Sequence, residues 1–269
     1  MKIPILKAIY PPIQYVITGE NASMSEEVWE KVWKKDLITS DYSLKYLDFM
    51  QGIEKSLAHG SAVLEAGCGT GQTLALLSER HETTGLDISR AALDIARSNC
   101  KNAVLGSIFN IPFMDNTFDL VYNSGVIEHF EDPTNVAAIR EMARVTKCAG
   151  RVIIIVPNTL CLWYKAGKWV AVMMENFEFG YEEDYSPKRL KTAVQNAGLE
   201  IEKTFGLQAL PPLATNDREV IGIGLRKRIG GVEKVFPFKQ YYAYTVGIIA
   251  RKPCINQAIS SGIVTGYRK

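Results

Sequence analysis

The chain has 269 residues, of which 47% are hydrophobic and 22% charged, with a formal net charge of +2. That is ordinary for a soluble globular protein, long enough for one large domain or a domain with a sizeable insert, and too nearly neutral to imply a nucleic-acid partner. Five cysteines (Cys68, Cys100, Cys148, Cys161, Cys254), odd in number and with no C-x-x-C pair, argue against a disulfide framework or a structural zinc site and suit a reducing cytoplasm.

Residues 1–22 carry Pro4, Pro11 and Pro12 and no clear period. They read as an irregular arm, and the prolines disfavour a signal peptide. No uninterrupted apolar run reaches the ~18 residues of a spanning helix. Ser23 followed three on by Glu26 is a capping-box pattern, and Val28, Trp29, Val32 and Trp33 share one helical face. A second helix is expected from about Tyr42 to His59, with Leu44, Leu47, Met50, Ile53 and Leu57 on one stripe and Gly60 as its stop.

From here short apolar runs alternate with helical stretches. Strands are expected over 62–67, 83–87, 103–106, 118–123 and 151–157. Helices fall between them, one capped by Ser89 and one from about Pro133 to Thr146. This alternation implies right-handed βαβ units and an α/β, doubly wound parallel sheet covered on both faces. Beyond Pro157 the segment to residue 186 is unusually aromatic. A helix over 187–196 with Gly198 as its stop, a strand over 200–205, an irregular insert over 208–240 and a final strand over 241–252 complete the reading. The basic run Leu225–Arg228 reads as a solvated loop.

Val63–Thr73, "VLEAGCGTGQT", puts Gly67, Gly69 and Gly71 at alternate positions between a strand and a helix. Such a loop permits a tight turn and close backbone approach by a ligand, and the helix behind it offers amides and a partial positive charge. A dinucleotide fingerprint is G-x-G-x-x-G. Here the third glycine comes one residue early, which favours a nucleoside ligand without a pyrophosphate and disfavours a nicotinamide-dependent oxidoreductase. By itself the loop could be a structural turn. Asp87 ends the next strand, where a carboxylate can accept hydrogen bonds from both ribose hydroxyls; it also suits a helix N-terminus.

"LEAGCGTG", "GLDIS" and "NIPFMDNTFDLVYNSGVIEHF", in this order, resemble the class I S-adenosylmethionine-dependent methyltransferases, nearest the group that includes the quinone-biosynthesis enzymes. The likeness covers roughly 60–160, with 187–207 and 241–252 fitting more loosely. It implies a Rossmann-like seven-stranded sheet, parallel with its last strand inserted antiparallel. It divides the chain into an N-terminal arm and helical cap (1–58) and a cofactor-binding domain (59–269) with a lid at 158–186 and the insert at 208–240. S-adenosyl-L-methionine is the implied cofactor. Glu65 would stand near its methionine end, and Gly67, Cys68, Gly69 and Gly71 would form its loop. Asp87 would bind the ribose and Ile88 would pack on the adenine. Ser107, beside Ile108, would stand where many relatives place an acid for the adenine amine, and Asn123 would lie by the amino-acid part.

Methyl transfer from a sulfonium is an in-line displacement in which the protein chiefly supplies alignment. A base is needed only for a hydroxyl or amine acceptor. His129 is the candidate; its alternative role is to orient backbone or cofactor. Some relatives carry E-x-x-E-H and are thought to bind a divalent metal with it, but Gly125 replaces the first acid here, so no metal is expected. The Asn-Pro-Pro-aromatic run of many base methylases is missing after Asn123, so no nucleic acid is expected. The expected partner is a small acceptor, apolar or aromatic. Residues 159–175 read as a lid, a core helix or a peripheral membrane contact of a cytoplasmic protein. A non-catalytic cofactor-binding subunit is the competing reading.

Overall fold

The apolar runs separated by helical stretches in the sequence lie side by side in space. The computed structural model describes residues 29–30, 41–173, 182–183, 185–210, 214–215, 218–219 and 236–254. The central strands are β1 (Ala62–Ala66), β2 (Glu82–Asp87), β3 (Asn102–Leu105), β4 (Phe118–Ser124) and β5 (Thr146–Pro157). β6 (Glu200–Leu207) and β9 (Thr245–Arg251) complete one seven-stranded sheet of order β3-β2-β1-β4-β5-β9-β6. All its strands run parallel except β9, which lies antiparallel between β5 and β6. The strands β7 (Ala214–Thr215) and β8 (Arg218–Glu219) form a separate two-stranded ribbon within the expected insert.

Side chains alternate across each strand, so neighbours in sequence enter different cores. Leu64, Val121, Ile154 and Ile248 face one layer, built with helices α4 (Thr134–Val145) and α6 (Pro187–Asn196). Val63, Leu120, Tyr122 and Ile153 face the other, built with α1 (Asp41–Glu54), α2 (Gln72–Leu77) and α3 (Arg90–Ala96). The near-continuous aliphatic runs follow from burial on both faces. Ser186 caps α6 by accepting the Arg189 N–H, with Pro187 just inside the helix, as the missing proline donor favours.

Three expectations need correction or qualification. α1 ends at Glu54 rather than near His59, and a turn in which Ser56 and Leu57 donate to Ile53 and Glu54 carries the chain on towards Gly60. Its inward face is Tyr46, Met50 and Ile53, whereas Leu44 is 48% exposed. Helical spacing admits either stripe, and the hydroxyl of Tyr46 finds a buried carboxylate that Leu44 could not use. Second, Cys148 and Cys254 form a disulfide, their Cα atoms 5.1 Å apart across 106 residues. Antiparallel pairing of β5 with β9, which sets Arg151 opposite Arg251, brings them together; so distant a pair leaves no spacing signal in the sequence. The compartment inferred from unpaired cysteines therefore no longer follows from them. Third, the arm 1–22, most of the expected first helix including Trp33, and the basic run 225–228 lie outside the described residues.

Gly247 shows how tightly the sheet's antiparallel end is packed. Phe205 on β6 lies across it, and Phe49 of α1 stacks on Phe205 with centroids 4.3 Å apart. A β-carbon at 247 would run into the Phe205 ring. Gly247→Val is expected to cost about 1–3 kcal/mol, the range for overpacking a filled core, read as a lower urea midpoint with an unchanged slope.

Candidate cofactor site

In a doubly wound sheet, ligands settle at the carboxyl ends of the strands where the strand order reverses. Here the reversal lies between β1, whose successors β2 and β3 go one way, and β4, which goes the other. The glycine loop leaves β1 at that point. Gly67, Gly69 and Gly71 adopt φ of 79°, 50° and 71°, a region that disfavours any side chain. Gly67 is doubly constrained, because a β-carbon there would stand 2.6 Å from Val126 Cγ2. The Gly67 and Cys68 N–H groups donate to the Leu86 carbonyl at 2.7 and 3.0 Å, pinning the loop to the end of β2.

Asp87 joins the two halves of this edge. One carboxylate oxygen accepts the Gly69 N–H at 2.8 Å, and the other accepts the Ser89 N–H at 2.9 Å. Ser89 in turn caps α3 by accepting the Ala92 N–H at 3.2 Å. The carboxylate thus serves the helix start and the glycine loop together, and each oxygen retains acceptor capacity for a hydroxyl. Burial raises its proton affinity, while the backbone N–H bonds oppose that rise. Ile88 is half-buried beside it.

Glu65 lies beneath the loop, 5% exposed. It accepts hydrogen bonds from Thr73 Oγ1 at 2.9 Å, Tyr122 Oη at 3.2 Å and, more weakly, Tyr46 Oη at 3.5 Å. Burial pushes its carboxyl up to about 8, against the pull of the Thr73 and Tyr122 hydroxyls. Ser107 accepts the N–H of Phe109 at 3.2 Å, so its hydroxyl also holds a local turn, and Ile108 beside it is buried.

On the β4 side, Asn123 is fully buried. Its amide N–H donates to Met142 Sδ at 3.4 Å, while its Oδ1 has no hydrogen-bond partner among the described residues. A 3₁₀ turn, Ile127–His129, follows. His129 is 5% exposed, with Trp29 edge-on to its ring at 5.3 Å between centroids. Phe130, the next residue, meets Phe109 at 4.6 Å. Sequence reasoning overlooked Glu128, which is 2% exposed with Oε2 unpartnered; burial raises its proton affinity well above the usual carboxylate range, and nearby Glu182 adds to the rise. The motif "EH" was visible, but only tertiary burial marks its first residue. Glu30 was also missed. Its carboxylate accepts from the Arg90 N–H, from the Ala91 N–H at 3.1 Å and from Ser89 Oγ at 3.1 Å, the free donors that open α3. No local signal links residues 60 positions apart.

Residues 64–154 match the family model described as a methyltransferase domain. Over 98 residues the chain is 39% identical to the probable tRNA methyltransferase 9B of Homo sapiens, covering 36% of this chain and 21% of that protein. Over 105 residues it is 36% identical to a demethylmenaquinone methyltransferase of Thermotoga maritima, covering 36% of this chain and 45% of that one. The chain therefore spans less than half the length of either relative. A SAM-dependent methyltransferase from Archaeoglobus fulgidus shares the fold at a TM-score of 0.58 and 19% identity, over 84% of this chain and 99% of that one. Residues 64–154 are thus similar to a methyltransferase domain, the sheet has the fold of a solved SAM-dependent methyltransferase, and both a tRNA and a demethylmenaquinone methyltransferase are among the relatives. S-adenosyl-L-methionine is the cofactor that such a domain implies. The residues present fit that molecule: a bare loop at Gly67–Gly71, the doubly anchored Asp87 carboxylate and the unpartnered Asn123 Oδ1.

The raised affinity of Glu65 has a consequence for stability. Between its ordinary value of 4.5 and about 8, the folded chain holds a proton that the unfolded chain has released. That contribution is fully present below 4.5 and is lost as pH rises through 8. Wild-type protein is expected to lose stability from about pH 6 to about pH 9, and Glu65→Gln to lose much less. Urea denaturation at the two pH values checks this; equal losses in both proteins would show that Glu65 does not hold the proton.

Proposed function

We propose that this protein transfers the methyl group of S-adenosylmethionine to a small apolar or aromatic acceptor. The observation that carries the reading is Asp87, held by the Gly69 and Ser89 amides at the carboxyl edge of the sheet, with acceptor capacity left for a ribose. The cofactor, when bound, supplies an activated methyl and its own leaving group. The chain would supply the cradle: Gly67, Cys68, Gly69 and Gly71 for close backbone approach, Ile88 and Ile108 for the adenine, Ser107 for its edge, and Asn123 with the Glu65 layer for the amino-acid end.

The apolar character of the acceptor is supported by the groups around the turn after β4. Trp29 meets His129, and Phe109 meets Phe130. A hydroxyl or amine acceptor would surrender its proton to His129. Buried Glu128 is the second group able to hold a proton there. The tRNA enzyme among the relatives raises the alternative of an RNA acceptor; the net charge of +2 favours the small molecule.

Three measurements test this. Titration calorimetry should show cofactor binding to the wild type, weakened about 10–100-fold in Asp87→Asn, as loss of hydrogen bonds to a charged group requires. Wild-type protein that binds no cofactor would overturn the reading. Incubating isotopically labelled cofactor with cell extract should place label in the small-molecule or lipid fraction; label in RNA would favour the alternative, and binding without transfer would favour a non-catalytic subunit. His129→Ala is expected to bind cofactor normally while losing about 10²–10⁴-fold in turnover on a hydroxyl or amine acceptor.

A further inference from the structure

Helix α5 (Leu162–Met173) leaves the carboxyl end of β5 five residues after Pro157, at the same edge of the sheet as the glycine loop and Asp87. One side of it is fastened to the domain. Cys161, just before it, and Tyr164 are buried, Trp163 packs on Tyr244 and donates to the Ala209 carbonyl at 3.3 Å, and Lys168 meets Glu182 at 2.8 Å. Tyr164 also donates to Glu182, at 3.1 Å. These contacts set the rotation of the helix about its axis.

The other side faces solvent and is apolar. Leu162 is 82% exposed, Trp169 64%, Val172 53% and Met173 65%. Positions 162, 165, 166, 169, 172 and 173 fall at helical spacing on one face, so the exposed residues form a stripe rather than scattered points. Exposed Lys165 lies within it, and residues 159–174 contain two lysines and no acid. The twelve described residues of the helix span about 18 Å, and no helix among the described residues is long and apolar enough to cross a membrane. An apolar face with tryptophan at its centre and lysine as its only kind of charge suits the boundary between headgroups and acyl chains. The 3₁₀ turn Lys239–Tyr241, tied to the root of α5 through Asn158 and the Gln240 carbonyl, exposes Phe238 and Tyr241 nearby in the fold.

We infer that the exposed stripe of α5 (Leu162, Trp169, Val172, Met173, with Lys165) docks the protein on an anionic lipid bilayer. The helix lies in the interface plane, and the cofactor edge of the sheet faces the membrane. Binding itself stands on this surface alone. That the bilayer also supplies the apolar acceptor rests on the function proposed above.

Vesicle co-sedimentation tests the docking. Wild-type protein should bind vesicles of mixed phosphatidylcholine and phosphatidylglycerol, and bind pure phosphatidylcholine less, with the difference shrinking at high salt as screening requires. The double variant Leu162→Glu, Trp169→Glu should lose about tenfold or more in partition, as the lost burial of two large apolar groups dictates. Lys165→Gln should reduce only the preference for anionic vesicles. Calorimetry with the cofactor shows whether each variant keeps its fold and reports separately on the methyltransferase reading. Wild type that ignores both vesicles, or a folded double variant that binds as wild type, overturns the inference. So does wild type that ignores vesicles but runs as a dimer that the double variant abolishes, since the stripe then meets a second copy.

Discussion

The carboxylate of Asp87 holds the candidate site together. The Gly69 and Ser89 amides that it accepts belong to different connections, one after β1 and one after β2. Parallel strands have no tight turn joining their ends, so loops at the sheet's edge need fastening by side chains. One buried acceptor between two amides provides that fastening, and each of its oxygens keeps acceptor capacity for a further donor. Glu30 adds a second carboxylate at the start of α3, so a segment near the N-terminus also closes on this edge.

Beneath that edge lies a second layer of constraint. Glu65 draws together hydroxyls from α1, α2 and β4. A buried carboxyl surrounded by hydroxyl donors is satisfied in either protonation state, because a hydroxyl both gives and accepts. At the end of β4 the situation is reversed. Asn123 and Glu128 keep acceptor atoms with no hydrogen-bond partner among the described residues, an arrangement that costs stability unless a ligand or water answers it. The satisfied layer lies under the glycine loop, and the unsatisfied atoms lie at and just beyond the end of β4.

The strands were legible because burial on both faces writes them as aliphatic runs, and α6 because Pro187 and Gly198 punctuate it. The glycine loop and Asp87 were legible because backbone conformation and strand ends leave local marks. The inward stripe of α1 holds at Met50 and Ile53 and departs only in its first turn, where Tyr46 rather than Leu44 is buried, since periodicity alone does not distinguish the two. The Cys148–Cys254 disulfide escaped because it depends on where β9 inserts. The burial of Glu128 and the reach of Glu30 escaped for the same reason: each depends on an element distant in the chain.

By itself, then, the sequence determined the alternation of strands and helices, the glycine loop after β1 and the acid that ends β2 beside it. These are written in residues close together, where φ preference, capping and side-chain period act. Tertiary structure decided which carboxyls are buried, which polar atoms lack a partner and which side of α5 meets solvent. Those depend on desolvation and packing among segments tens of residues apart, and no local pattern records them.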